Sequence, residues 1–139
     1  MKYRLDLKND FDRILLTGMG GSLYASSPVW LTLAEAGLPA LWVDTAELIH
    51  HTPRLVTPKT LLWMVSQSGK SAEIVSGIGL QPAALIATVN DMESPLAKAA
   101  EFQIMVDAHE PVRPTGLHRT WPNFMACEAT RGNEFNNRN

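Results

Sequence analysis

The chain has 139 residues with 45% hydrophobic content, a formal net charge of −2 and a sequence pI near 6.0, which predicts one domain with a sizeable core. The slightly acidic balance argues against nucleic acid as a partner, and no apolar run approaches the ~18 residues that span a membrane. The single cysteine, Cys127, excludes a disulfide framework and a paired-cysteine metal site, so we expect a reducing, cytoplasmic setting.

Short apolar runs recur along the chain and predict its β-strands. They are continuous rather than alternating, which is typical of strands buried on both faces in a parallel sheet. The five runs cover residues 14–17, 40–43, 60–65, 84–89 and 102–106.

Segments with helical spacing of apolar residues lie between several of these runs, at residues 22–36, 71–80 and 94–100. Pro28 should kink or shorten the first segment, and Ser94 followed by Pro95 is a favourable helix start. Alternation of strands and helices predicts an α/β fold, a three-layer sandwich around a five-stranded parallel sheet.

The composition and periodicity of the sequence change after residue 110. Pro111, Pro114 and Pro122 interrupt any periodicity, and the last residues are rich in asparagine. We therefore expect a domain over residues 1–110 and an irregular tail over 111–139, such as a shifted reading frame or a truncated gene copy would produce.

Two small polar loops carry the functional signal. Gly18-Met19-Gly20-Gly21-Ser22 follows the first strand, and Ser66-Gln67-Ser68-Gly69-Lys70-Ser71 follows the third. A strand–turn–helix layout offers backbone N–H groups and hydroxyls to an anion. If the strand order is 2-1-3-4-5, both loops face one crevice, where ligands of such sheets bind. The alternative is that glycine and serine only form tight turns, but the pair favours binding.

Other chemistries match the sequence less well. Gly18-Met19-Gly20 begins like a dinucleotide-binding turn and Asp44 lies where a ribose-binding acid would, but Leu23 replaces the third glycine. His50 and His51 are adjacent and have no further ligand cluster, so we interpret them as a solvated helix end and predict no metal site. Lys70 is either a surface residue or a counter-charge for phosphate.

These residues resemble the sugar isomerase (SIS) domain family over residues 14–107. The serine turn at 66–71 is the most specific match. Gly20-Gly21-Ser22 resembles the family's first phosphosugar loop, Glu47 stands where many members have a glutamate, and residues 89–97 resemble the fourth strand and the segment after it. The sequence looks closest to the first SIS domain of glutamine–fructose-6-phosphate aminotransferase-type proteins, although Gly21 and Lys70 replace that branch's usual threonine and glutamate.

The resemblance implies a flavodoxin-like α/β sandwich that binds a phosphorylated sugar or amino sugar without a cofactor. The residues that would bind it are Gly20, Gly21, Ser22, Ser66, Gln67, Ser68, Gly69 and Ser71. SIS domains usually pair through helices, so a homo-oligomer is expected.

Catalysis is less clearly predicted than binding. Aldose–ketose isomerisation needs a base and an acid, and the candidates are Glu47, Glu73 and His109, none with an identifying spacing. The catalytic glutamate that two-domain relatives carry in their second SIS domain has no counterpart here, so we expect binding without turnover. Two alternatives remain: a non-catalytic phosphosugar sensor, and a fragment of a nucleotide-binding oxidoreductase.

Overall fold

The computed structural model describes residues 10–106, so the predicted domain end at 110 and the tail at 111–139 lie outside it. The strands are β1 (Arg13–Gly18), β2 (Ala40–Asp44), β3 (Thr60–Val65), β4 (Ala84–Val89) and β5 (Phe102–Met105). The helices are α1 (Gly21–Ala25), α2 (Ser27–Glu35), α3 (Thr45–His50), α4 (Ala72–Ile78) and α5 (Pro95–Ala99), with a 3-10 turn at Pro53–Leu55. All five predicted strands form within one residue of their expected limits.

The strands make one parallel sheet in the order β2-β1-β3-β4-β5, which confirms the order assumed from the sequence. The central strands β1, β3 and β4 are buried along nearly their whole length, whereas residues of the edge strands β2 and β5 are half-buried or exposed. Burial on both faces of the sheet therefore explains the continuous apolar runs of the three central strands.

Helices cover both faces of the sheet, as a three-layer sandwich requires. On one face, Leu48 of α3, Ile74 of α4 and Leu96 of α5 pack against alternate residues of the central strands. On the other face, α2 packs through Val29, Trp30 and Leu33 against the remaining alternate residues. The predicted α/β fold is confirmed.

Local signals explain where two of the helices begin. Pro28 lies in the first turn of α2, and the predicted segment 22–36 is accordingly divided into α1 and α2. The Ser94 side chain accepts a hydrogen bond from the Ala97 N–H and caps α5. Both outcomes agree with expectation.

Helix α3 ends at His50, where the sequence indicates a helix end, but its start was not predicted. Its start is set by Asp44, whose carboxylate accepts hydrogen bonds from the N–H groups of Ala46 and Glu47 at 2.8 and 3.4 Å. The residue considered as a ribose-binding acid is therefore a helix cap. A carboxylate at an N-terminus is favourable because it satisfies unpaired N–H groups and the helix dipole.

Gly18 is the point at which the first loop and the third strand meet. A Cβ on this residue would lie 2.9 Å from the Val65 carbonyl oxygen and 3.0 Å from the Leu23 nitrogen. Both contacts are with backbone, which cannot rotate away as a side chain can. The first strand must therefore end in glycine for the two strands to keep their spacing.

We expect Gly18→Ala to lower the free energy of unfolding by about 1–3 kcal/mol, because it overpacks a site bounded by backbone. Gly21→Ala is the matched control in the same loop, where a Cβ would meet nothing within 4 Å. The control should leave stability unchanged or raise it slightly, since alanine favours the helix. Urea unfolding curves measure both, and equal stability of the two variants would contradict the packing argument.

Candidate functional site

The two polar loops lie side by side at the carboxyl edge of the sheet. Gly18 and Val65, the last residues of β1 and β3, are paired in register, so the loops that follow them start at the same level. Carboxyl ends of adjacent parallel strands form the crevice in which ligands of such sheets bind. The predicted juxtaposition of residues 18–22 and 66–71 is present in the structure.

A cavity of about 290 Å³ opens between these loops. It is lined by Met19, Ser22, Val65, Ser66, Gln67, Ser68, Ser71, Glu73 and Ile74. Five of the eight residues predicted to bind a phosphosugar are thus brought to one cavity. The other three, Gly20, Gly21 and Gly69, belong to the same loops but do not line it.

Some of the lining residues were not among the predicted binding residues. Met19 lies inside the first loop, Val65 directly precedes the second, and Glu73 and Ile74 lie in the first turn of α4. The sequence held a signal for Glu73, because it follows the serine turn by two residues, and for Met19, because it lies inside the first loop. For Val65 and Ile74 only their place beside the loops could have suggested a role.

The serine hydroxyls of the second loop divide into two kinds. The Ser66 hydroxyl accepts a hydrogen bond from the Gly69 N–H at 3.0 Å, and the Ser68 hydroxyl accepts one from the Lys70 N–H at 3.3 Å. Ser71 occupies the N-cap position of α4, but its side chain makes no capping hydrogen bond. Each hydroxyl keeps its own proton to donate, and the Ser71 oxygen also keeps its acceptor capacity.

The shape of the serine turn depends on Gly69. Its φ of +64° lies in the left-handed region, and a Cβ there would be 2.7 Å from the Ser94 Cβ. Both facts require glycine. Gly69 therefore acts in the site by letting the turn close against the start of α5, behind the cavity.

Lys70 is engaged away from the cavity. Its ammonium lies 2.8 Å from the Asp91 carboxylate, in the turn between β4 and α5, and Lys70 is not among the lining residues. This hydrogen bond, with a second from the Glu93 N–H, holds the pKa of Asp91 below its ordinary value. Of the two interpretations of Lys70, this structure therefore does not place it as a direct counter-charge for phosphate.

The three candidates for an acid or base fall in different places. Glu73 lines the cavity and is the ionisable residue that does so within residues 10–106. Glu47 is largely exposed on α3, where its carboxylate lies 4.0 Å from His51, and it does not line the cavity. His109 lies outside the described residues.

Residues 10–106 show neither a metal-binding cluster nor a membrane-spanning helix. In that part of the chain no group of three or more histidine, cysteine, aspartate or glutamate side chains could hold a metal ion. Over the same residues, no helix combines the length and the apolar character needed to cross a bilayer.

Comparison with protein families gives one partial match. A model of the glycoside hydrolase 97 family matches residues 77–130. This is less than half of the chain and begins inside α4, so the match does not assign a family.

Comparison with curated proteins identifies a different group. Arabinose 5-phosphate isomerase of Pseudomonas aeruginosa is 33% identical over 111 residues, which cover 78% of this chain and 34% of that protein. The chain therefore spans about a third of the length of the curated relatives it matches.

Solved structures agree on the fold. Tagatose-6-phosphate ketose/aldose isomerase from Escherichia coli aligns with a TM-score of 0.72 and 19% identity, over 92% of this chain and 39% of that one. The C-terminal domain of glucosamine-fructose-6-phosphate aminotransferase from Francisella tularensis aligns with a TM-score of 0.66 and 18% identity, over 77% of this chain and 31% of that one.

These relatives fix the family but not the branch. The curated match is to an isomerase, and the aminotransferase domain shares the fold at low identity, so particular closeness to the aminotransferase branch is not established. The fold, the serine turn and the sequence relatives together place this chain in the sugar isomerase (SIS) family.

Proposed function

We propose that this chain contains a phosphosugar-binding domain whose serine turn, residues 66–71, binds the phosphate of the ligand. The observation that supports this most is the convergence of Ser22, Ser66, Ser68 and Ser71 on one cavity at the carboxyl ends of β1 and β3. Hydroxyl and backbone N–H donors suit a phosphate, whose charge strengthens each hydrogen bond that it accepts.

Uncharged donors would bind the phosphate in this site. Within residues 10–106 no lysine or arginine lines the cavity, and the nearby Lys70 is paired with Asp91. Glu73 would repel a phosphate placed beside it, so we propose that the sugar lies toward Glu73 and the phosphate toward Ser68 and Ser71. Carboxylate and amide oxygens of Glu73 and Gln67 are suitable acceptors for sugar hydroxyls.

The name of the curated relative narrows the substrate class. Since an arabinose 5-phosphate isomerase is 33% identical over 111 residues, we propose that the ligand is a phosphorylated aldose or ketose, with arabinose 5-phosphate the first to test. An amino-sugar phosphate, as expected for the aminotransferase branch, is the second choice. A phosphosugar sensor would use the same site. A measurement of turnover distinguishes a sensor from an enzyme, because only the enzyme converts the bound sugar.

We expect Ser71→Ala to weaken arabinose 5-phosphate binding by about tenfold or more, because a hydrogen bond to a charged group contributes about 1.5–3 kcal/mol. Ser68→Ala should act in the same direction. Ser76→Ala, an exposed serine of α4 outside the cavity lining, is the matched control and should bind like the wild type. Isothermal titration calorimetry gives the three Kd values.

Free arabinose tests whether the phosphate carries the affinity, and it should bind far more weakly than the phosphorylated sugar. Equal Kd values for Ser71→Ala, Ser68→Ala and Ser76→Ala would refute the assignment of the turn. If no sugar phosphate binds the wild type at millimolar concentration, the proposed function itself is wrong.

We expect the chain alone to bind phosphosugars without interconverting aldose and ketose. Isomerisation needs both a base and an acid, which typically contribute about 10²–10⁴-fold each, and Glu73 is a single ionisable group among the described lining residues. Proton NMR of the protein with arabinose 5-phosphate should show no steady conversion. Steady turnover above ~1 s⁻¹, an ordinary enzyme rate, would contradict this. Glu73→Gln and Glu47→Gln would then identify the base.

Association of chains through helices remains a prediction, supported by apolar side chains on α1 and α2. Tyr24 is 71% exposed and Leu31 is 54% exposed, on helices next to the edge strand β2. Leu31→Glu should shift the protein toward monomer at ~100 μM, whereas Ala34→Glu, at an exposed site on the same helix, should act less. Light scattering measures the mass, and a monomeric wild type at this concentration would contradict the prediction.

A further inference from the structure

We propose that Asp91 is a positioning residue for phosphosugar binding: through its ion pair with Lys70 it holds the serine turn in the shape that receives phosphate. Asp91 does not line the cavity, so it would act through the turn and not on the ligand. The binding part of this inference rests on the proposed function. The structural part concerns the unliganded protein and can be tested without a ligand.

The serine turn is attached to the segment after β4 by backbone hydrogen bonds. The Ser66 N–H donates to the Thr88 carbonyl at 3.0 Å, and the Asn90 N–H donates to the Gln67 carbonyl at 3.0 Å. On the far side of the turn, the Leu96 N–H donates to the Gly69 carbonyl at 3.3 Å. Residues 88–96 thus form a support behind the turn.

The exposed tip of the turn is less well held by the backbone. Ser68 and Lys70 are exposed, and the Lys70 N–H reaches the Ser68 hydroxyl only at 3.3 Å. Gly69 between them is buried and is held through its N–H and its carbonyl, so the loosely held parts of the tip are its two exposed neighbours. The 2.8 Å contact from the Lys70 ammonium to the Asp91 carboxylate links the side chain of this exposed tip to the support. Losing this link should loosen the donors that face the phosphate.

The direction in which the Kd changes distinguishes a positioning role of the Lys70–Asp91 pair from a role of Lys70 as a counter-charge. If Lys70 were a counter-charge for phosphate, Asp91 would compete with the ligand for it, and removing the Asp91 charge would strengthen binding. If the pair positions the turn, removing that charge weakens binding. Asp91→Asn is suited to the test because asparagine keeps an oxygen that can accept the Glu93 N–H, now donated to Asp91 at 2.9 Å.

The turn between β4 and α5 also offers a matched control. Glu93 pairs with Lys98 at 3.2 Å, and both side chains are strongly exposed. Glu93→Gln removes one negative charge from the turn that also contains Asp91, and it leaves the Lys70–Asp91 pair intact. It therefore reports the general effect of net charge on the affinity for an anion, against which Asp91→Asn is compared.

The experiment measures calorimetric Kd values for arabinose 5-phosphate with wild type, Asp91→Asn, Lys70→Met, their double variant and Glu93→Gln. We expect about threefold to tenfold weaker binding for Asp91→Asn and Lys70→Met, and no further loss in the double variant. Glu93→Gln should bind as tightly as wild type or slightly tighter. Unchanged or tighter binding by Asp91→Asn would overturn the proposal.

A second measurement needs no ligand. Hydrogen exchange of the Gly69 and Lys70 amides should be about threefold faster or more in Asp91→Asn and Lys70→Met, with the global unfolding midpoint unchanged. If no sugar phosphate binds the wild type, the proposed function fails, and this measurement decides alone whether the pair orders the turn. Exchange equal to that of wild type and Glu93→Gln would overturn the proposal.

Discussion

The close approach of β1 and β3 at their carboxyl ends is the constraint on which the site depends. Gly18 lies so near the Val65 carbonyl that any side chain there would meet backbone. Because the two strands pair in register up to this point, the glycine-rich loop and the serine turn leave the sheet side by side. A wider spacing would separate Ser22 from the serine turn, and the cavity would lose its shared lining.

The serine turn uses the same hydroxyl groups for two tasks. Ser66 and Ser68 use their oxygens to accept backbone N–H groups, which shapes the turn, while their protons remain for a ligand. Ser71 lies at an N-cap position, but its hydroxyl does not make the capping hydrogen bond that is usual for a serine there. Because the hydrogen bonds inside the turn use the serine oxygens as acceptors, the hydroxyl protons can be donated to an anion.

Ionic groups support the site from outside it. Lys70, at the exposed tip of the serine turn, pairs with Asp91, whereas the cavity lining contains the acidic Glu73 and no described lysine or arginine. Exposed ion pairs usually contribute little to global stability, so such a pair is better placed to order a local turn than to hold the fold. This arrangement also explains why the lysine was ambiguous in the sequence: residue type and helix position do not reveal which anion a flexible side chain will reach.

The sequence by itself determined the strands, the parallel sheet and the two loops, because continuous apolar runs, proline at a helix start and clustered glycine and serine are local signals that burial and backbone geometry reinforce. It did not predict where α3 starts or the role of Asp44, since an aspartate after a strand is equally consistent with a helix cap and a ligand-binding acid. Tertiary structure decided which residues share the cavity, bringing Glu73 to it and leaving Glu47 outside. It also decided the partner of Lys70, because contacts between residues 70 and 91 depend on how β3 and β4 pair and not on any local pattern.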